Sequence, residues 1–208
     1  MFDAVVFDMD GVLVDAREWH FEALNLALSP FGAEISREEH LGTFNGLSTR
    51  RKLELLTSQG RIPKALHEII FNIKQDRTMR LIAEKCFPIV SQQILLARLK
   101  NRGIKIGVYT NSIRETAESM LRYANVIDFF ECVVTNQDVS KPKPHPEGYL
   151  LVCEKLGASP NRVLVVEDGK YGIEAARKAG CTVLEVESPE DVHLEKLSKH
   201  IPSLLKSN

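Results

Sequence analysis

Five short, mostly apolar runs, separated by stretches with helical patterning, constrain the fold of this chain more than any other feature. The runs are Ala4–Phe7, Ile104–Tyr109, Cys132–Thr135, Val163–Val166 and Thr182–Val186. Nearly continuous apolar strands are typical of a parallel sheet that is buried on both faces by helices. The sequence therefore predicts an α/β protein whose core is a doubly wound, Rossmann-like parallel sheet.

The segment between the first two predicted strands departs from this alternation. Residues 16–85 contain no convincing strand, and their apolar residues recur at helical spacing. One such stripe consists of Trp19, Ala23, Leu24 and Ala27. We interpret the segment as an all-helical domain inserted into the core. The predicted domains are therefore a helical cap over residues 16–85 and a catalytic core over residues 1–15 and 86–208, which ends in a helix from Lys199 to Asn208.

Composition limits the classes of partner. The 208 residues are 44% hydrophobic and 26% charged, so the chain can bury a sizeable core. A net charge of −1 argues against nucleic acid or an anionic membrane as the partner. The four cysteines are scattered singly, and we interpret them as buried thiols in a reducing compartment. No apolar run approaches membrane-spanning length and the chain begins with a strand, so we expect a cytoplasmic protein without a signal peptide. We also expect the protein to be a monomer or a weak homodimer.

Two aspartates follow the first predicted strand. Asp8 and Asp10 are two residues apart, so on extended backbone their side chains point the same way. Two unit charges about 4 Å apart repel by about 4 kcal/mol at a surface-like dielectric, which calls for a compensating charge. A solvated acidic turn is the simpler alternative. A hard divalent cation such as Mg²⁺ is the usual compensator, and in proteins Mg²⁺ commonly holds phosphate.

Polar residues also follow the other predicted strands. Because ligands bind beyond the carboxyl ends of the strands in an open α/β sheet, we expect these side chains to meet at one edge. They are Thr110, Asn111, Ser112, Lys141, Glu167 and Asp168. Ser112 has a second interpretation, since Ser112 and Glu115 have the spacing of a helix capping box.

These residue types suit phosphoryl transfer. Several carboxylates around one Mg²⁺ leave coordination positions for a phosphate. The Thr110 hydroxyl suits the other phosphate oxygens, and Lys141 supplies a positive charge against the developing phosphoryl charge. One aspartate can then attack phosphorus, and a second can protonate the leaving oxygen.

Four segments in order resemble the motifs of one superfamily. DMDGVLVD, YTNS, the lysine of SKPKP and VEDGKYGIEAARKAG are similar to the four motifs of the haloacid dehalogenase superfamily of phosphotransferases. The helical insert, with His20 and a Gly-Leu-Ser turn at Gly46, resembles the small cap of the β-phosphoglucomutase and phosphoglycolate phosphatase branch.

The resemblance implies a role for each motif residue. Asp8 is implied as the nucleophile and Asp10 as the general acid and base, which also binds the metal through its backbone carbonyl. Asp168 is implied as a Mg²⁺ ligand, with Glu167 ligating the ion or holding its water. Thr110 and Lys141 are implied to bind the transferring phosphate.

Several further residues are expected to contact the substrate, each with a structural alternative. His20 is otherwise a packed histidine, Thr49 and Arg50 belong to a solvated basic helix face, and Arg114 is a surface residue. Asn111 and Ser112 complete the predicted set. Lys143, two residues after the predicted phosphate-binding lysine, is expected to be solvated.

The chain departs from the family pattern in three segments. His145 stands where the family often has aspartate, and Gly169 stands where serine is usual after the acidic pair. Ile113 and Arg114 replace the lysine and asparagine with which the mutase faces its sugar phosphate. The last change argues against a mutase.

The predicted activity is Mg²⁺-dependent hydrolysis of a small phosphomonoester, such as a sugar phosphate or a phosphoglycolate-like compound. The nearest alternative is a phosphotransferase of the β-phosphoglucomutase type. A response-regulator receiver also clusters acids, a hydroxyl and a lysine on a doubly wound sheet, but it has no large helical insert. A binding protein without catalytic activity is the remaining alternative.

Overall fold

The structure is a computed structural model that describes residues 2–206. It divides into two compact units. One unit contains the chain up to Asp15 and from Cys86 onwards, and the other is Ala16–Lys85. Among the described residues, no helix is both long enough and apolar enough to cross a membrane.

The first unit is built on a sheet of five strands that are all parallel. They are β1 (Ala4–Phe7), β2 (Lys105–Tyr109), β3 (Cys132–Val134), β4 (Val163–Glu167) and β5 (Thr182–Glu185). The strand order is β3-β2-β1-β4-β5. All four residues of β1 are completely buried, and burying each Val or Phe side chain contributes about 1.5–3 kcal/mol. The prediction of a doubly wound α/β core is confirmed, and each predicted strand is present within a residue of its expected ends.

The second unit is entirely helical among its regular elements, as the apolar spacing predicted. Its α-helices are α1 (Arg17–Leu28), α2 (Arg37–Leu41), α3 (Thr49–Ser58) and α4 (His67–Lys85). Helix α1 packs along α4, and the unit has its own core, which includes Leu24, Phe44, Leu53 and Ile70. Side-chain caps fix two helix starts, because the hydroxyls of Ser36 and Ser48 accept backbone N–H groups of the first turns.

Four α-helices of the first unit precede or connect its strands, and a fifth follows the last strand. They are α5 (Val90–Asn101), α6 (Arg114–Tyr123), α7 (Glu147–Leu156), α8 (Lys170–Lys178) and α9 (Leu194–Ser198). The prediction of a terminal helix from Lys199 to Asn208 is wrong in its bounds. Helix α9 ends at Ser198, and only a short 3₁₀ segment, Pro202–Leu205, follows, since Pro202 lacks the N–H that a continuing helix needs. The last two residues of that prediction lie outside the described part of the chain.

The register of the central strands positions the site. Phe7, the last residue of β1, lies opposite Val108 of β2 and Val166 of β4. The residues that follow on all three strands therefore leave the sheet at the same level. Strand β1 lies between β2 and β4, where the strand order changes direction, and open α/β sheets bind ligands at such a point.

Candidate active site

Three carboxylates meet where β1 and β4 end. Asp8 directly follows β1, Glu167 is the last residue of β4, and Asp168 follows it. One oxygen from each lies within 4.8 Å of the other two. The side chains are poorly solvated, with Asp8 only 7% and Glu167 only 2% exposed. A set of carboxylate oxygens this close matches the ligands that a hard divalent cation prefers.

A glycine allows this close approach. Gly11 has a φ of +90°, which only glycine adopts without strain, in the turn that follows β1. A Cβ atom at this position would lie 2.2 Å from Oδ2 of Asp168. The turn therefore needs glycine both for its backbone conformation and for the space that the carboxylate occupies.

Burial has the largest effect on the pKa of the Asp8 carboxyl. It raises the pKa of this carboxyl well above its ordinary value, and repulsion by Glu167 raises it further. Lys143 acts in the opposite direction, while Asp168 and Asp10 add to the rise. A cation beside these acids would favour the ionised form of Asp8, which is the form that a nucleophile requires.

The lysine that contacts Asp8 is Lys143, and the prediction that Lys141 occupies this place is wrong. Lys143 is 6% exposed, and its Nζ lies 2.5 Å from Oδ1 of Asp8 and also pairs with Glu167. Lys141 is exposed, and its backbone N–H donates to the carboxylate of Glu147 at 3.0 Å. The expectation that Lys143 is solvated is likewise wrong.

The path of the loop between β3 and α7 explains the exchange of lysines. The Glu147 carboxylate accepts the N–H groups of Ser140 and Lys141, which ties this part of the loop to the start of α7. Two residues later, the N–H of Lys143 donates to Oδ1 of Asn111 at 3.2 Å, next to the end of β2. Both lysines precede a proline, so the local sequence contains no signal that separates them.

Glu167 is held by partners on both of its oxygens. Oε1 accepts the Tyr149 hydroxyl at 3.1 Å and the Lys143 ammonium, while Oε2 accepts the backbone N–H of Gly169 at 2.9 Å. Sequence reasoning did not identify Tyr149, which lies on α7 among residues with an ordinary apolar pattern.

Asp10 contacts the loop after β2. Its Oδ2 accepts the Ser112 hydroxyl at 3.0 Å. The N–H of Ser112 in turn donates to Oγ1 of Thr110 at 3.0 Å, and Thr110 is completely buried. The predicted residues Asp10, Thr110 and Ser112 are therefore connected by hydrogen bonds.

The Ser112 capping box is not formed. Helix α6 begins at Arg114, after Ile113, and no side chain caps it from that position. The amide oxygen of Gln137 accepts the N–H of Arg114 at 2.8 Å instead. The Arg114 guanidinium pairs with Asp138 at 2.6 Å and with Glu118 at 3.3 Å. The predicted substrate contact of Arg114 stays a prediction. To make that contact, the guanidinium would have to leave Asp138 or bind the substrate while paired with it.

Two of the residues that depart from the family pattern each take part in a hydrogen bond. His145 is exposed, and its Nδ1 accepts the backbone N–H of Glu147 at 3.3 Å. Gly169 directly precedes α8 and presents its N–H to Glu167.

The remaining predicted residues lie in the helical unit, and their roles stay predictions. His20 is on α1, and its Nδ1 lies 3.3 Å from Nζ of Lys74 on α4. Thr49 is the first residue of α3, and the guanidinium of Arg50 lies over the Phe71 ring at 5.2 Å. Sequence reasoning did not identify Lys74, which is buried although it is a lysine. Buried lysines are uncommon, and the helical unit holds two of them, Lys52 and Lys74.

Comparison with known proteins gives the same family as the motifs. The family described as haloacid dehalogenase-like hydrolase matches residues 5–186. A phosphorylated carbohydrates phosphatase from Thermotoga maritima is 32% identical over 178 residues, which cover 86% of this chain and 82% of that protein. A phosphoglycolate phosphatase from Salmonella typhi is 28% identical, covering 85% of this chain and 78% of that protein.

Solved structures share the architecture. A β-phosphoglucomutase from Clostridium difficile superimposes with a TM-score of 0.85 over 98% of both chains at 23% identity, which concerns the fold alone. The CbbY protein from Rhodobacter sphaeroides, solved in complex with phosphate, has a TM-score of 0.77 and 26% identity, covering 89% of this chain and 87% of that chain.

Proposed function

The chain belongs to the haloacid dehalogenase-like hydrolases and is a phosphoric monoester hydrolase, and from this premise we propose that it is a Mg²⁺-dependent phosphatase acting through an aspartyl-phosphate. The observation that carries the proposal is the position of Asp8. Its carboxylate follows the central strand, lies within a group of three acids and contacts a buried lysine. In the proposal, the nucleophile, the cation site and a fixed positive charge therefore share one place.

The donor set suits Mg²⁺. Asp8 and Asp168 would hold the ion, Glu167 would bind it or its water, and Asp10 would contribute its backbone carbonyl. When bound, Mg²⁺ neutralises part of the charge on the carboxylates and on the phosphate, which lets two anions approach each other.

The proposed steps use the chain's own residues. An oxygen of Asp8 attacks phosphorus, and the bond from phosphorus to the leaving oxygen breaks as the new one forms. Asp10 donates a proton to that oxygen, then takes a proton from the water that attacks the aspartyl-phosphate. Inorganic phosphate leaves and the Asp8 carboxylate is restored. The Thr110 hydroxyl and the Lys143 ammonium bind the phosphoryl oxygens during both transfers.

The proposed substrate class is a small sugar phosphate or a phosphoglycolate-like compound. The names of the relatives support this class, since one acts on phosphorylated carbohydrates and another on phosphoglycolate.

A screen for phosphate release tests the proposal. Purified protein is incubated with a panel of sugar phosphates and phosphoglycolate, with Mg²⁺ and with a chelator. We expect Mg²⁺-dependent turnover of at least one compound, and Asp8→Asn should abolish it while leaving the fold intact. Borohydride added during turnover should convert Asp8 to homoserine, which peptide mass spectrometry detects, because it reduces an acyl phosphate. Turnover that persists in Asp8→Asn would exclude the covalent route.

The same assay separates hydrolysis from phosphoryl transfer back to sugar. With glucose 1-phosphate as substrate, a hydrolase releases one phosphate for each sugar, whereas a mutase forms the isomeric sugar phosphate. Isomer formation without phosphate release would assign the chain to the mutase alternative.

A further inference from the structure

Two tyrosine rings lie close to the lysine ammonium of the candidate active site. The Nζ of Lys143 lies 4.9 Å from the centre of the Tyr109 ring and 5.2 Å from the centre of the Tyr149 ring. The rings also contact each other edge to face, with their centres 4.9 Å apart and their planes at 88°. Both tyrosines are completely buried. Distances of this size place the ammonium within the range of cation–π attraction to both rings.

From this arrangement we infer that Tyr109 and Tyr149 are positioning residues, which hold the Lys143 ammonium against Asp8. The inference rests on the proposed function, in which Lys143 binds the phosphoryl group. A lysine side chain has four rotatable bonds and a mobile point charge, so it needs fixed partners near its charged end to act at one place. The two rings lie beside the ammonium, and the carboxylates of Asp8 and Glu167 pair with it.

The sequence around the rings is adapted to them. Gly148 lies in α7, where glycine destabilises a helix relative to alanine. A Cβ atom at this position would lie 2.0 Å from Cζ of Tyr109, so any larger residue would displace that ring. Glycine at position 148 is therefore explained by the Tyr109 ring rather than by the helix that contains it.

The two hydroxyl groups differ, which separates the effect of the rings from that of the hydroxyls. Among the described residues, the Tyr109 hydroxyl has no hydrogen-bond partner although it is buried. The Tyr149 hydroxyl donates to Oε1 of Glu167 at 3.1 Å. Phenylalanine keeps each ring and removes the hydroxyl, whereas leucine removes the ring and remains apolar.

Steady-state kinetics of four variants test the role. If the rings position the lysine, Tyr109→Phe should retain most of the activity, and Tyr149→Phe should lose only the part that depends on its hydrogen bond to Glu167. Tyr109→Leu and Tyr149→Leu should each lower kcat about tenfold or more relative to the matching Phe variant. The Mg²⁺ concentration for half-maximal rate should change by less than about threefold in Tyr109→Leu, since the Tyr109 hydroxyl donates no hydrogen bond to Asp8, Glu167 or Asp168. Tyr123→Leu, which replaces an exposed tyrosine of α6, is the matched control and should match the wild type.

A second measurement follows the lysine itself and does not depend on turnover. Acetylation by a lysine-selective reagent, read by peptide mass spectrometry, should modify Lys143 much more slowly than the exposed Lys141 in the wild type and in both Phe variants. Lys143 should become about tenfold more reactive in the Leu variants, because its ammonium is released from its buried position. Thermal melting identifies any variant that has lost its fold, and Tyr149→Met and Tyr109→Met, which fill more of the space, then replace the Leu variants.

The possible outcomes distinguish this inference from the proposed function. Leu variants that match the Phe variants in both kcat and Lys143 acetylation would overturn the positioning role. Wild-type protein without Mg²⁺-dependent turnover would overturn the proposed function, while the acetylation data would still show whether the rings hold the lysine.

Discussion

Nζ of Lys143 lies 2.5 Å from Oδ1 of Asp8, although 135 positions separate the two residues in the sequence. Both groups are buried, and burial of an ion pair is favourable only when further partners satisfy it. Glu167 supplies that partner and is itself bound by Tyr149 and by the backbone of Gly169. The lysine thus compensates two acids at once, which links the first strand, the loop before α7 and the end of β4.

The first prediction separates the two lysines of the KPKP segment. Lys143→Met should lower kcat/KM about 10²–10³-fold, because a fixed charge that stabilises the phosphoryl group is removed. Lys141→Met should leave it within about twofold, since that side chain is exposed at a surface where single changes have small effects. Phosphate release with the best substrate of the panel measures both. A larger loss in Lys141→Met than in Lys143→Met would contradict the assignment of the lysine.

The second prediction concerns metal binding in the absence of substrate. Mg²⁺ at about 100 times its dissociation constant should stabilise the native protein by about 2.7 kcal/mol, since the three carboxylates come together only in the folded state. A thermal melt with and without Mg²⁺ should therefore show a higher Tm with the ion.

Asp168→Asn should remove most of that increase in Tm. Asp76→Asn, which changes an exposed aspartate of α4, is the matched control and should keep it. An equal increase in Tm for Asp168→Asn and the wild type would mean that the ion binds elsewhere.

The sheet and most of the site follow from the sequence for physical reasons. Strands buried on both faces must be apolar along their whole length, so β1 and β4 are visible as continuous runs. Parallel strands bring their carboxyl ends to one edge, which is why Asp8 and Asp168 could be placed together without any knowledge of side-chain contacts.

Other features depend on contacts between residues that are distant in the sequence. The choice between Lys141 and Lys143 is made by Asn111 and Glu147, which bind the loop backbone. The start of α6 is set by the Gln137 side chain, although Ser112 and Glu115 have the local spacing of a capping box. Local sequence patterns contain no information on such partners.

The roles of Tyr109 and Tyr149 could not be predicted from the sequence either. Tyr109 ends an apolar strand and Tyr149 belongs to an apolar helix face, so each pattern is typical of an ordinary core residue. Their contact with the Lys143 ammonium is evident only from the structure, which brings all three residues together.

The third prediction is a pH dependence of stability that originates at His40 in the helical unit. His40 is 3% exposed and packs against the Phe21 ring. Burial lowers the pKa of His40 from its ordinary 6.5 to about 4, and the positive charge of Lys52 lowers it further, while Glu18 opposes the change. The imidazole is therefore mainly neutral in the folded protein at pH 6.5 and becomes half protonated only near pH 4.

The sign of the effect follows from proton binding. Between pH 6.5 and about 4 the unfolded chain binds a proton at His40 and the folded chain does not. The free energy of unfolding should thus fall as the pH falls through this range, by about 2–3 kcal/mol in total from this residue. His40→Phe, which keeps a ring against Phe21, should lose this part of the pH dependence, whereas His200→Phe at an exposed position should keep it. Urea unfolding followed by circular dichroism at about pH 7.5 and about pH 4.5 measures the difference. If the wild type and His40→Phe lose equal stability between these two pH values, His40 is not the group that titrates.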